Sequence, residues 1–279
     1  MSLKVCILAS GSSGNATLIW SGTSALLIDC GRSNKFIEES LCAVRCDIAT
    51  LKGVLITHGH GDHINSGTII LARRHHVPIY IHRETYDAIL EKETCKRIAL
   101  LDPGLVVHHG TDDFTIGEFR IRPFPTFHNG GFVGRAFGFT VTFANGGQPR
   151  KIGFLTDTGK VDDGIISSLA DSHVLVLEAN HDPELVRNSD RHFLNKQWIL
   201  SDYGHLSNQA HAETILRVVQ RSRDPDTLKH IFMAHISEQH NTPLIARQQI
   251  KGILDQTDLG HIQLIPTFHR KSSVVLTLE

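Results

Sequence analysis

The 279-residue chain has almost no net charge: 28 basic and 29 acidic residues leave a formal charge of -1. That balance excludes the global positive field by which many nucleic-acid binders hold a phosphate backbone, so any contact with DNA or RNA has to be local. Long hydrophobic runs are missing too. Residues 1–9 are apolar with one lysine, but Ser10-Gly11-Ser12-Ser13-Gly14-Asn15 follows far too early for a secretion signal or a membrane span. A cytoplasmic protein without membrane association is expected. Cysteine is sparse, and its five copies (Cys6, Cys30, Cys42, Cys46 and Cys95) are odd in number and scattered. They argue against a disulfide framework and for reduced, mostly buried thiols. Cys42-x-x-x-Cys46 lacks the second pair that a structural zinc site needs. No Pro/Ser tract, charge block, low-complexity run or internal repeat suggests a linker. With 41% hydrophobic residues the chain can bury a large core, and the simplest expectation is one domain over residues 1–279.

What is abundant is histidine, with 19 copies. Imidazole is the commonest metal ligand, yet most histidines in any chain are ordinary surface or core residues, so position decides.

Hydrophobic patterning gives the frame. Three short strands separated by Gly/Ser turns are expected at 3–9, 16–20 and 25–29, as an opening meander. A helix at 34–44 follows, then the short β-branched run 53–57, which reads as a buried strand leading into His58. Helices are expected around 69–72 and 86–92, with a strand at 78–82 between them. Residues 105–143 turn to β, most clearly at 114–123 and 136–143. The second half alternates again: strands at 152–156, 174–178 and 231–234, helices at 165–169, 209–221 and 243–254. Each of those strands ends on, or just before, a polar residue. The pattern predicts an α/β fold in which two sheets pack face to face with helices outside, and ligands collect where strand ends meet.

The strongest chemical signal is His58-Gly59-His60-Gly61-Asp62-His63, directly after a strand. Four ligand-type side chains in six, with glycines between them, suit a tight metal-binding loop. In an extended loop His58 and His60 project to one side at period two, while Asp62 and His63, expected at a helix start, face a second ion. Further along, His128, Asp157 and His235 follow predicted strands. Each alone is weak evidence, since Asp157 could equally cap a helix.

The motif H-x-H-x-D-H after a strand resembles the signature of the metallo-β-lactamase superfamily, which implies a four-layered αβ/βα sandwich. The resemblance assigns His58, His60, Asp62, His63, His128, Asp157 and His235 to two divalent metal ions, with Asp157 bridging and Asp29 supporting the loop. The segments Ser10 to Asn15, Leu27-Ile28-Asp29-Cys30-Gly31, Leu177-Glu178-Ala179-Asn180-His181-Asp182, Gly204-His205-Leu206-Ser207-Asn208 and His235-Ile236-Ser237-Glu238-Gln239-His240-Asn241 are similar to the YycJ (WalJ) family over nearly the whole chain. That family implies a cytoplasmic metal-dependent nuclease, a 5′-to-3′ exonuclease on double-stranded DNA. Two departures are visible: Gly59 and Gly61 stand where the family more often has Glu and Ser, and Asn129 follows His128 in place of aspartate.

Two cations about 3.5 to 4 Å apart would lower the pKa of a bridging water and hold the hydroxide as nucleophile. With imidazole and carboxylate ligands and no thiolate, zinc is the default and manganese or iron the alternatives. Asp62 and His205 are the catalytic candidates. His205 precedes a helix expected to be capped by Ser207 or Asn208, a place suited to meeting the scissile phosphate, as resemblance to RNase Z and β-CASP nucleases implies. Asn15, Asp29, His181, Asp182, His240 and Asn241 are candidates for supporting or lining the cleft. The loop 10–15 offers backbone N–H groups to a phosphate or is a plain turn. Arg187, Arg191, Lys196, Arg217, Arg221 and Arg223 form a candidate basic stripe. The competing functions are a small-molecule or RNA phosphodiesterase with the same metals, a lactam or thioester hydrolase, and a non-catalytic metal-bound scaffold.

Overall fold

The computed structural model describes residues 2–91, 102–129, 134–144 and 147–279. Cys95 and part of the helix expected at 86–92 lie outside the described residues. The first half runs β1 (Leu3–Ala9), β2 (Ala16–Trp20), β3 (Ala25–Ile28), α1 (Asn34–Ala43), β4 (Leu51–Leu55), α2 (Ser66–His75), β5 (Ile79–His82), α3 (Arg83–Glu91) and β6 (Val106–His109). The second half runs β7 (Phe114–Ile116), β8 (Phe119–Pro125), β9 (Phe137–Phe143), β10 (Arg150–Leu155), α4 (Asp163–Leu169), β11 (Val174–Glu178), α5 (Pro183–Arg187), α6 (Phe193–Ile199), α7 (Asn208–Arg221), β12 (His230–Ala234), α8 (Pro243–Leu254) and β13 (Gln263–Pro266). The last strand, β14 (Leu276–Leu278), returns to the first sheet.

Two seven-stranded sheets result, in the orders β14-β1-β2-β3-β4-β5-β6 and β13-β12-β11-β10-β9-β8-β7. Strand alternation explains why they stack. Val5 and Ile7 of β1 face the other sheet, whereas Cys6 and Leu8 face the helices; Val174 and Val176 of β11 face inward, whereas Leu175 and Leu177 face outward. Because both faces are covered, these strands read as continuous apolar runs. The inner layer joins Ile19, Leu26, Ile28 and Leu55 to Phe119, Phe137, Phe139, Phe154 and Phe232. Outside, Ile37, Leu41, Ile69 and Leu71 cover the first sheet, and Ile165, Leu169, Ile215, Val218 and Ile250 the second. The α/β sandwich expected from the pattern is thus the architecture.

Within each sheet, one half is parallel. β3, β4, β5 and β6 are parallel neighbours, as are β10, β11, β12 and β13. Parallel strands linked by helices aim their carboxyl ends the same way, and the crevice beyond those ends is where α/β folds place ligands.

Two local expectations change, and one alternative reading falls away. The strand expected at 114–123 is broken into β7 and β8, because Gly117 adopts φ +57 and turns the chain. Asp62 and His63 are not at a helix start: α2 begins at Ser66, capped by Asn65. Asp157 caps no helix; Asp162 caps α4. The four described cysteines are free, with Cys6, Cys30 and Cys46 buried and Cys42 exposed. Among the described residues, no helix is long and apolar enough to cross a membrane.

Phe139 sits fully buried between the sheets, opposite Phe154 and Pro123. Phe139→Ala is expected to destabilise the fold by about 3–5 kcal/mol, the cost of lost burial plus a cavity. Denaturant unfolding checks this; a change under about 1 kcal/mol would mean the sheets close over the gap.

Candidate metal centre

The site is assembled from strand ends of both sheets. From the first come Asp29, directly after β3, and the loop 58–63 beyond β4; from the second come His128 beyond β8, Asp157 beyond β10, Glu178 at the end of β11, and His235 directly after β12. Asp29, Asp157 and His235 have φ of 59, 55 and 52. The left-handed conformation is costly for residues with a Cβ and persists where surrounding structure fixes it. Here it turns each side chain out of its strand direction and into the crevice.

The loop 58–63 is pinned from below. Asn15 donates its backbone N–H to Asp62 O at 2.7 Å, and its amide contacts Asp62 Oδ2 at 3.3 Å and His63 Nε2 at 3.1 Å. A Cβ on Gly31 would lie 1.7 Å from Asp62 O, so only glycine lets this loop pack so closely. At Gly61 there is open space, so a side chain there is sterically free. The N–H groups of Ser10, Gly11, Gly14 and Asn15 are all bonded within the protein. Loop 10–15 is therefore a brace for the histidine loop, and Ser10 Oγ further accepts from His235 N at 2.7 Å.

Two groups of donors meet above that brace. His58, His60 and His128 converge, with His58 Nε2 2.8 Å and His128 Nε2 3.3 Å from His60 Nδ1. Asp62, His63 and His235 form the second group: Asp62 Oδ2 lies 3.4 Å from His63 Nε2 and 3.6 Å from His235 Nε2. Asp157 stands between them. Its Oδ2 is 3.4 Å from His63 Nε2, and its Oδ1 is 3.5 Å from His235 Nε2 and 3.9 Å from His128 Nε2. Asp157 Oδ2 and His235 Nε2 are buried without a hydrogen-bond partner. Leaving such atoms unpaired is costly, and a cation among them would satisfy both.

The opposite ring nitrogens are tied down, which leaves the converging ones to act as ligands. His128 Nδ1 donates to Gly204 O at 3.0 Å, and His58 Nδ1 lies 3.0 Å from Thr57 Oγ1. His63 Nδ1 meets Asp29 Oδ2 at 2.7 Å, and Asp29 is itself fixed by the backbone and hydroxyl of Thr57. Glu178, fully buried, plays the same part on the far side: Oε1 takes both His205 Nδ1 at 2.7 Å and His235 Nδ1 at 3.1 Å. Its Oε2 accepts from the backbone of Thr158 and Leu206. Glu178 was not singled out from the sequence; its place at the end of the strand between those delivering Asp157 and His235 was the available signal.

Electrostatics divides the imidazoles. Burial keeps His58 well below its usual range, with the neighbouring His63 adding to the effect, and takes His128 down to about 4. Burial works against a charge on His63 as well, but Asp29, Asp157 and Asp62 outweigh it and hold this ring well above its usual range. For His235, burial is outweighed by Asp157, Asp62 and Glu178, which lift it to about 10. In Asp62 and Glu178 burial opposes ionisation, and the adjacent histidines reverse it and hold both carboxyls low.

His205 lies at the rim. It is partly exposed, stacks on His235 with ring centroids 5.1 Å apart, and sits 3.6 Å from Asp157 through Nδ1. Ser207 caps α7 just beyond it. The remaining candidates are more dispersed. His181 is buried next to this helix start, bridging Ser207, with burial holding it near 4. His240 is buried, with Nε2 unpartnered. Asp182 caps α5 and accepts from Gln249, and Asn241 bonds Ala179 O and Asn208, so both have structural partners outside the donor groups. The basic residues do not form one stripe. Arg187, Arg191 and Lys196 lie on the α5–α6 segment, whereas Arg221 and Arg223 stand at the end of α7 opposite to Ser207, with Arg223 on Asp171.

Residues 25–225 match the beta-lactamase superfamily domain. The chain belongs to the metallo-β-lactamase superfamily. Within it, the exodeoxyribonuclease YycJ of Bacillus anthracis is 31% identical over 260 residues, 93% of this chain and 92% of its own. The exodeoxyribonuclease WalJ of Streptococcus pneumoniae serotype 2 (strain D39) is 33% identical over 259 residues, 92% of this chain and 90% of its own. The chain is a member of the YycJ/WalJ family. The metallo-β-lactamase fold protein YhfI of Bacillus subtilis superposes with a TM-score of 0.69 over 99% of this chain and 100% of its own, at 17% identity. Superfamily membership and the converging donor groups together support divalent-metal binding by this chain.

Two outcomes follow from the geometry. Asp29, Asp157 and Asp62 favour the charged form of His63, and Asp157, Asp62 and Glu178 that of His235, so metal uptake is expected to displace protons and affinity to fall as pH is lowered. Calorimetric titration in buffers of differing ionisation enthalpy is expected to show about one to two protons released near neutral pH; uptake without release would contradict the charged imidazoles. Glu178→Ala frees two rings at once and is expected to weaken metal affinity about 10- to 100-fold, with Glu178→Gln intermediate. Equal affinities in all three proteins would remove Glu178 from the site.

Proposed function

We propose that the chain is a metal-dependent phosphodiester hydrolase acting on DNA, an exonuclease that shortens double-stranded ends in the 5′-to-3′ direction. The observation that carries this reading is the Asp157 carboxylate within reach of His63, His128 and His235, among overlapping groups of metal-ligand side chains, in a member of a family whose relatives are named exodeoxyribonucleases. In this reading His58, His60 and His128 would hold one ion and Asp62, His63 and His235 a second, with Asp157 within reach of both groups; zinc suits this imidazole and carboxylate set, with manganese or iron as alternatives. Bound divalent ions would supply the Lewis acidity that generates a nucleophile from water at neutral pH and neutralises phosphate oxygens.

The protein's own part is positioning and proton handling. Asp29 and Glu178 fix the rings of His63 and His235, so the donors are held before any substrate arrives. Asp62, held by the Asn15 amide at 3.3 Å, would be a fixed ligand that helps to position the nucleophile. His205 has one nitrogen on Glu178 and an exposed edge, which suits it to protonate the leaving oxygen or stabilise its charge. The whole chain acts as one domain, because both sheets contribute ligands. The four cysteines among the described residues are free, which suits a cytoplasmic setting.

End-labelled duplex DNA with added manganese or zinc tests the activity. Progressive shortening from the 5′ end is expected; cleavage of simple diesters with duplex ends untouched would turn the reading to a small-molecule phosphodiesterase. Asp157→Asn should lose at least one metal equivalent and nearly all hydrolysis. His235→Ala should release a metal, whereas His205→Ala should keep the metals and slow single-turnover cleavage about a hundredfold or more. The opposite pattern of metal retention would exchange the roles of the two histidines.

A further inference from the structure

The rim of the metal centre carries an aromatic wall that the metal chemistry does not use. Trp198 is partly exposed near the end of α6, with its ring centroid 5.7 Å from His128 and 5.3 Å from His205, edge-on to the latter at 87°. The backbone locks it in place. His205 N donates to Ile199 O at 3.2 Å, and His128 Nδ1 to Gly204 O at 3.0 Å. A Cβ on Gly204 would lie 2.2 Å from Trp198 O, so this residue has to be glycine for the tryptophan to come so near.

Other large apolar side chains of the same segment stand in solvent. Phe193 is 65% exposed, Leu194 64% and Tyr203 49%, and Tyr203 meets Phe127, next to His128, at 6.4 Å. Exposed apolar side chains beside a crevice offer surface to a ligand that enters it. Charge does not account for the segment: Arg187, Arg191 and Lys196 are matched in number by Glu184, Asp190 and Asp202 across 183–203. A nucleic acid held here would be held by stacking more than by counterion release, because every base offers a π-face whatever its sequence.

We propose that Trp198 forms a nucleobase-stacking subsite, on which the base of the terminal nucleotide lies while its phosphate is presented to the donor groups of Asp157. The proposal rests on the phosphodiester reading of the same site. It accounts for the ring's position: stacking against an aromatic at the rim holds a base pulled out of a duplex end, a step that enzymes working on terminal nucleotides must compensate.

The chain has two tryptophans, and Trp20 is buried at 5% exposure in the first sheet, so quenching by an added base reports on Trp198. In metal-loaded, full-length Trp20→Phe protein, a short single-stranded oligonucleotide with phosphorothioate end linkages should quench the emission. The same oligonucleotide with an abasic terminal nucleotide should not. If Trp20→Phe fails to fold, the difference between wild-type and Trp198→Phe emission gives the same signal. Trp198→Ala should raise KM for DNA ends about tenfold to a hundredfold with metal content and kcat little changed, and Trp198→Phe should restore most of it. Equal quenching by the abasic oligonucleotide, no quenching at all, or metal loss in Trp198→Ala would overturn the subsite; the last would mean that the ring serves only to hold His128. Quenching by the intact oligonucleotide in a protein that degrades no DNA would uphold the subsite and defeat the nuclease reading.

Discussion

The site depends on buried carboxylates that cannot stand alone. An isolated ion in the protein interior costs several kcal/mol, and the cost is offset only by close partners and further hydrogen bonds. Glu178 meets that condition through His205, His235 and two backbone N–H groups, whereas Asp29 has partners in His63 and Thr57 but burial still raises its carboxyl above the usual range. Each carboxylate thereby fixes the ring it pairs with, and the ring presents its other nitrogen to the crevice. The order of construction is therefore carboxylate, then imidazole, then metal. Asp157 differs from the other two, since its Oδ2 has no hydrogen-bond donor and faces the donor groups directly.

Delivering these groups needs both sheets. The inner apolar layer sets the distance between them, and the parallel halves aim their carboxyl ends at a common crevice. The left-handed backbone at Asp29, Asp157 and His235 costs of order 1–3 kcal/mol at each position. The sheets they end, with near-continuous apolar strands, supply the rigidity that holds them there. Loss of packing at a distance thus reaches the metal centre through strand ends, not through the ligands themselves.

Much of this was legible in the sequence because the relevant signals are local. The histidine loop follows its strand within a few residues, and strands covered on both faces are apolar runs that stand out against polar turns. His128, Asp157 and His235 were readable only as an ordered set at strand ends. Glu178 escaped because one glutamate closing an apolar strand looks like any other; its meaning comes from lateral pairing of β11 with β10 and β12, which periodicity does not encode. The same is true of β14, which joins β1 from the other end of the chain. The helix start expected at Asp62 failed for a different reason: Asn65 is the better cap, with its side chain on Gly67 N and the hydroxyl of Thr68 reaching back to Asn65 N.

The absence of net charge, the first property visible in the sequence, takes on meaning beside the layout of the basic residues. A protein that slides on duplex DNA gains from a long cationic track, since each neutralised phosphate adds counterion release. Here Arg217 is engaged by Val161 O and Asp163, Arg223 by Asp171, and the bases near the crevice share their segment with an equal number of acids. Such a surface offers little counterion release to the body of a duplex. For an enzyme acting at chain ends this is an advantage: affinity concentrated at the metal centre and its rim discriminates a terminus from the far more numerous internal phosphates, which a uniformly basic surface would bind just as well.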